Sequence, residues 1–226
     1  MLEYGDRFPF ANGYEILRAP DCFLEEDVKK ITMQEVVDVY HEMIEKDQLD
    51  ILVLGDVEED SINQLAEEYF NVKTNKVDAS VSYCLDTMVS EKRFNKEKDI
   101  SQSYITYIYN TKTSNTSEEF NALKVANAIL GQLPTSLLFQ EVREKNSLCY
   151  SIYSALFPYD GGLGISTGVE IGNEEKTMKL IEKQVERMKN GDFSDEMIYV
   201  AQKMLINSLR STYDSANAIF GLIYRN

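Results

Sequence analysis

Two β-prone runs, Leu148 to Phe157 and Leu163 to Ile171, flank Pro158-Tyr159-Asp160-Gly161-Gly162, and this arrangement constrains the chain more than any other feature. Proline presets one turn dihedral and glycine tolerates positive φ, so the five residues reverse the chain and the runs pair antiparallel. A two-stranded ribbon is marginal in water and needs more strands or a covering layer. Upstream, Tyr104, Thr106 and Ile108 alternate with Ile105, Tyr107 and Tyr109, the β-branched and aromatic pattern of another strand.

Helices fill the intervals. Thr116 and Glu119 are expected to cap a helix whose Phe120, Leu123, Asn127 and Leu130 share one face and which closes at Gly131. Pro134-Thr135 opens a short helix over Ser136 to Lys145. Asn173 caps a further helix ending at Asn190-Gly191, where glycine adopts the left-handed closing conformation. A last helix is expected from Asp195 toward the end of the chain, where Ile223-Tyr224-Arg225-Asn226 carries no stop signal. The order strand, two helices, hairpin, two helices predicts an α+β unit, with helices covering one face of an antiparallel sheet.

The earlier part of the chain is sparser. Order is expected from Ile31, where Thr32 and Glu35 form a capping box for a helix with Val36, Val37, Tyr40 and Ile44 on one face. Leu49 to Leu54 is a short apolar run ended by Gly55-Asp56 and suits a buried strand. Ser61 and Gln64 form a second capping box before Ile62, Leu65 and Tyr69. Residues 76–99 are polar and charged and are expected to connect residues 1–75 to a second unit, 100–226.

A formal charge of −15 and a pI near 4.5 exclude general nucleic-acid and anionic-membrane binding, because both need cationic surface to neutralise phosphates. No apolar run approaches the roughly 20 residues that span a bilayer. Cys22, Cys84 and Cys149 are odd in number and widely spaced, without a C-x-x-C, so no redox pair or zinc knuckle is indicated. Cys149 reads as a small buried apolar residue, and a reducing, cytoplasmic location is expected.

Metal chemistry finds little to use. The single histidine lies in His41-Glu42-Met43-Ile44-Glu45, with Glu45 where a zincin helix would place its second imidazole. His41 is expected on the polar face of its helix. Asp56, Glu58, Glu59 and Asp60 read as a solvated helix N-terminus, which carboxylates stabilise. Gly161, Gly162, Gly164 and Gly168 lie in a hairpin rather than between a strand and a helix, so they form no phosphate cradle.

Several segments together resemble one family. Leu130-Gly131, then Ser136-Leu137-Leu138-Phe139-Gln140-Glu141-Val142-Arg143-Glu144-Lys145, then Leu148-Cys149-Tyr150-Ser151 are similar to the signature block of the M16 (insulinase and mitochondrial-processing-peptidase) metallopeptidases. The Ile31-Thr32 helix followed by Leu52-Val53-Leu54-Gly55-Asp56-Val57, and Gln102 before the tyrosine-rich strand, also fit. Gln132 and Ser147 depart from that block, each standing where the family commonly has glycine.

The resemblance implies an M16-like (LuxS/metallohydrolase-like) fold with one partial half, 1–75, and one nearly complete metal-free half, 100–226. In that family one half carries zinc on H-x-x-E-H, and the other contributes an Arg and a Tyr that hold the peptide. By motif those residues are Arg143 and Tyr150, with no catalytic residue, metal ligand or cofactor in this chain. The pair makes chemical sense as a rigid cationic fork and a neutral donor aimed at a peptide carbonyl. From the residues alone another reading is open: an Arg favouring a helix C-terminus and a Tyr packed in a strand. The resemblance implies a peptide-binding portion of a metalloendopeptidase, inactive alone and completed by a zinc-bearing half upstream or on a partner. Strand addition along a sheet edge would suit an extended peptide. The alternatives are an inactive M16-like scaffold or assembly subunit, and an unrelated α+β ligand-binding domain.

Overall fold

The expected hairpin forms from β2 (Cys149–Phe157) and β3 (Gly162–Val169), and β1 (Ser103–Asn110) pairs antiparallel with the other side of β3. The computed structural model describes residues 25–70, 93–95, 97, 99–159 and 161–225. Cys22, Cys84, the turns expected before residue 25 and most of the 76–99 connector lie outside them. The described residues fall into two compact units, 93–207 and 25–70 with 208–225.

In the first unit β3 is the central strand, in the order β1-β3-β2. Its register places Ile105 opposite Thr167 and Tyr107 opposite Ile165, while Ile152 and Ser154 on β2 face the same two residues. Side chains alternate across a sheet, so Ile105, Leu163, Ile165, Val169 and Ile152 share a face, and they form the core with Leu138, Val142, Leu148 and Ile181. The alternation expected for β1 therefore holds, with Ile105, Tyr107 and Tyr109 turned toward that core.

The covering helices are α4 (Phe120–Asn127), continued by a π-helical turn Ala128–Gln132, a π-helix Phe139–Lys145, and α5 (Glu174–Lys189). α4 starts at Phe120 without the expected cap: Glu119 makes no side-chain cap bond, and the Thr116 hydroxyl instead lies 2.9 Å from that of Ser114. α5 starts after Asn173, which also makes no side-chain cap. The Glu174 carboxylate instead ties the helix start to the preceding turn and to β1, accepting from the Gly172 N–H at 2.8 Å and from the Ser103 hydroxyl. Gly191 closes the helix at φ 68° as expected.

Gly131 sets how closely the helical layer approaches the sheet. A Cβ there would sit 2.6 Å from Ser154 Oγ and 2.8 Å from Ser154 N, and the Ser154 hydroxyl donates to the Asn127 carbonyl at 3.3 Å. A second cluster, Ala128, Ile129, Leu133 and Leu137, packs with Ala201 of α6 (Asp195–Thr212).

The second unit differs from expectation in four places. α1 (Glu25–Lys30) precedes α2 (Met33–Lys46), so helical order begins before Ile31. The Thr32–Glu35 capping box is present as expected. α3 (Glu59–Tyr69) starts two residues before Ser61, so no Ser61–Gln64 box forms. Glu59 and Asp60 occupy its first turn, where their charge suits the helix dipole. Leu49–Leu54 pairs with no strand among the described residues, and Ile51 to Leu54 are exposed. The final helix is interrupted, giving α7 (Ala216–Arg225) after α6. The Ser211 and Thr212 hydroxyls both donate to the Ser208 carbonyl, competing with continuation of the helix. Among the described residues no helix is long and apolar enough to cross a membrane.

Gly131→Ala should cost about 1–3 kcal/mol, because the clash takes in the strand backbone N and Cβ of Ser154 as well as its hydroxyl, and the first two cannot rotate away. Gln132→Ala, on an exposed neighbour, should stay within about 0.5 kcal/mol. Urea midpoints for the two variants check this.

Glu174 gives a pH prediction. The Ser103 hydroxyl first, then backbone N–H groups, hold its carboxyl below the ordinary range. A depressed folded-state pKa contributes stability that is present above about pH 4.3 and lost as pH falls through the lower folded value. Glu174→Gln should therefore flatten the acid limb of a plot of melting temperature against pH by lowering its neutral end, the two curves converging at low pH.

Candidate functional site

Arg143 and Tyr150 are brought together by a helix, a turn and the start of a strand. Arg143 lies in the last turn of the π-helix Phe139–Lys145 and Tyr150 is the second residue of β2. The turn between them is tightly bonded. The Ser147 N–H donates to the Arg143 carbonyl at 2.9 Å, the Leu148 N–H to the Val142 carbonyl at 3.1 Å, and the Asn146 side-chain amide to the Glu141 carbonyl at 2.8 Å. Val142 and Leu148 are buried, so both sides of the turn are anchored in the core.

The Arg143 guanidinium carbon sits 4.4 Å from the Phe139 ring centroid and 5.8 Å from that of Tyr150. A guanidinium over an aromatic face gains cation–π attraction, while its N–H groups point out along its own plane and remain donors. Glu144 Oε1 lies 3.5 Å away in a half-exposed ion pair, which contributes little in water. Tyr150 is 87% exposed. A tyrosine kept for packing buries most of its ring, and Tyr150 buries little of it among the described residues.

Phe139 was not singled out by its sequence. Its i, i+4 spacing from Arg143 is the signal that could have revealed it, since residues so spaced are neighbours on a helix surface. Cys149, between the pair, is half-buried, and burial pushes its thiol pKa up against smaller lowering effects from a Thr167 hydrogen bond and the Arg143 charge. Such a thiol is a poor nucleophile at neutral pH. Ser147 takes φ 50°, the left-handed conformation that explains why glycine suits this position.

His41 stands exposed on α2, its ring 5.8 Å edge-on from Tyr40. Among the described residues no group of three or more His, Cys, Asp or Glu could hold a metal ion. The glycines at 161, 162 and 164 lie in the hairpin turn and β3.

Comparison with known proteins gives concordant results. Residues 30–205 match the family profile described as the peptidase M16 inactive domain. A probable inactive metalloprotease, YmfF, of Bacillus subtilis (strain 168) is 32% identical over 200 residues, 88% of this chain and 47% of that protein. The crystal structure of a conserved protein from Enterococcus faecalis V583 superposes with a TM-score of 0.79 at 28% identity, over 88% of this chain and 47% of its own. A protease from Helicobacter pylori shares the fold, with a TM-score of 0.70 at 15% identity over 88% of this chain and 50% of its own. The chain thus spans about half the length of these relatives.

Ser147→Gly should stabilise the chain by about 1 kcal/mol, because it removes a Cβ from a left-handed residue. A rise in the denaturation midpoint with an unchanged slope checks it.

Proposed function

Because this chain belongs to the M16 peptidase family, as an inactive domain of that zinc-protease family, we propose that it is a metal-free, peptide-binding portion of an M16-like metallopeptidase. Residues 1–75 form the closing part of a first half, 76–99 a connector and 100–226 the second, metal-free half. Arg143 and Tyr150 hold the peptide, hydrolysis is carried out by an H-x-x-E-H half upstream or on a partner, and this chain alone is inactive. The location is cytoplasmic, which suits Cys149 as a free thiol.

One observation carries this reading: Tyr150 is almost wholly exposed beside a guanidinium braced on Phe139. A charge-assisted fork and a phenolic O–H at that spacing suit adjacent carbonyls of an extended peptide. The donors come from anchored backbone, so little ordering entropy is lost when a peptide binds.

A second reading is favoured by the Bacillus subtilis relative, a probable inactive metalloprotease. In that reading the chain is an M16-like scaffold or assembly subunit, and the pair is structural.

The two are separated in the complete assembly with its zinc-bearing half. Arg143→Ala should lower peptide affinity or turnover about tenfold to a hundredfold, the loss of a charged hydrogen bond worth about 1.5–3 kcal/mol. Tyr150→Phe, which removes one neutral donor, should cost about tenfold or less. Unchanged binding and turnover in both variants would favour the scaffold.

A further inference from the structure

Tyr150 owes its exposure to one extra residue in β2. Cys149 stands opposite Val169 and Ile152 opposite Thr167, so Tyr150 and Ser151 together face the single residue Gly168. Two residues against one make a β-bulge, a device that re-aims a side chain. Tyr150 and Ile152 are two apart, and a regular strand would turn both toward the core. Ile152 is buried there, whereas Tyr150 stands in solvent. The bulge is held from beneath, where the buried Thr167 hydroxyl donates to the Ser151 carbonyl at 2.8 Å.

On its other side Gly168 pairs with Tyr104 of β1. A Cβ at 168 would lie 3.2 Å from Gln102 Oε1 and 3.4 Å from Tyr104 Cε1. Both side chains therefore reach over the central strand where glycine leaves room. Tyr104 and Gly168 alternate with the buried Ile105 and Val169, which puts them on the sheet face opposite the core. There Gln102 is exposed and Tyr104 is 50% exposed.

We propose that Gln102 and Tyr104 form a second contact for the peptide held by Arg143 and Tyr150, which crosses the sheet at Gly168. The proposal rests on the reading above, that Arg143 and Tyr150 hold a peptide. A peptide crossing the strands meets backbone groups already bonded within the sheet, so side chains must read it. The Gln102 amide offers one acceptor and two donors, the complement of a peptide N–H and C=O. The half-exposed ring of Tyr104 gives an apolar side chain of the peptide a surface to cover. The span also fits. Two strand spacings put residues 104 and 150 about 10 Å apart, the length of about three extended residues. The ligand is thus an extended segment of about five residues or more, with an apolar side chain beside Tyr104.

The test uses the complete assembly, its zinc chelated so that nothing is cut, and a peptic digest of β-casein as a mixture of many peptide lengths. Equilibrium dialysis with mass spectrometry gives the bound fraction of each peptide. Gln102→Ala should weaken binding of peptides of about five residues or more. The expected loss is about threefold to tenfold, that of one neutral hydrogen-bonding group. Peptides of about three residues or fewer should show no loss, because they cannot reach both contacts. Gly168→Ala, whose Cβ displaces Gln102 and Tyr104, should reproduce this pattern. Gln102 is exposed, so Gln102→Ala should leave the melting temperature unchanged. Undiminished binding in Gln102→Ala beside a loss in Arg143→Ala overturns the proposal and leaves the peptide reading standing. An equal loss at every peptide length also overturns it. Binding indifferent to both residues, or no binding by the parent, removes the peptide reading and the proposal with it.

Discussion

The first unit depends on one close approach, that of Gly131 to the backbone of Ser154. Because no side chain intervenes, the π-helical turn Ala128–Gln132 lies directly on β2, and Ala128, Ile129 and Leu130 are buried with it. Interiors pack near crystal density, so a gap of even one methyl group there would be felt across the layer. The layer so seated carries the π-helix Phe139–Lys145, whose Val142 is fully buried. Arg143 is therefore located by packing on its inner side, while its charged end lies over Phe139 and beside Glu144.

Most of the first unit was legible in its sequence. The hairpin, the alternation of β1 and the closing Gly191 follow from local rules, since turn chemistry and side-chain period act over a few residues. Helix starts were less legible. Thr116 and Asn173 have suitable side chains, but the Thr116 hydroxyl lies against that of Ser114, which spacing does not reveal, and Asn173 makes no cap bond. In the second unit Ser61 gave way to the carboxylates of Glu59 and Asp60, and Leu49–Leu54 found no strand to pair with among the described residues. A strand is a property of two segments, and only one of them was in view.

The site follows the same division. Arg143 and Tyr150 were visible through a motif block, and the structure places them 5.8 Å apart. Phe139 emerged only from geometry, as the ring under the guanidinium. The balance between packing and exposure at Tyr150 was also beyond sequence, because a strand tyrosine can point either way and only its surroundings decide. Family membership adds what neither could: the family profile that fits residues 30–205 is that of an inactive domain. That agrees with a chain whose sole histidine has glutamate where a second imidazole would be needed.

The left-handed turn at Ser147 has a consequence for the order of folding. It lets a helix and a strand meet across a seven-residue separation, so Arg143 and Tyr150 come together by closing a very small loop. Loop-closure entropy grows with length, and short-range contacts form early and cheaply. The sheet register between β1 and β3, by contrast, joins residues about sixty apart, such as Ile105 and Thr167. The paired donors are thus a local module in sequence, displayed on a sheet that only distant segments can close.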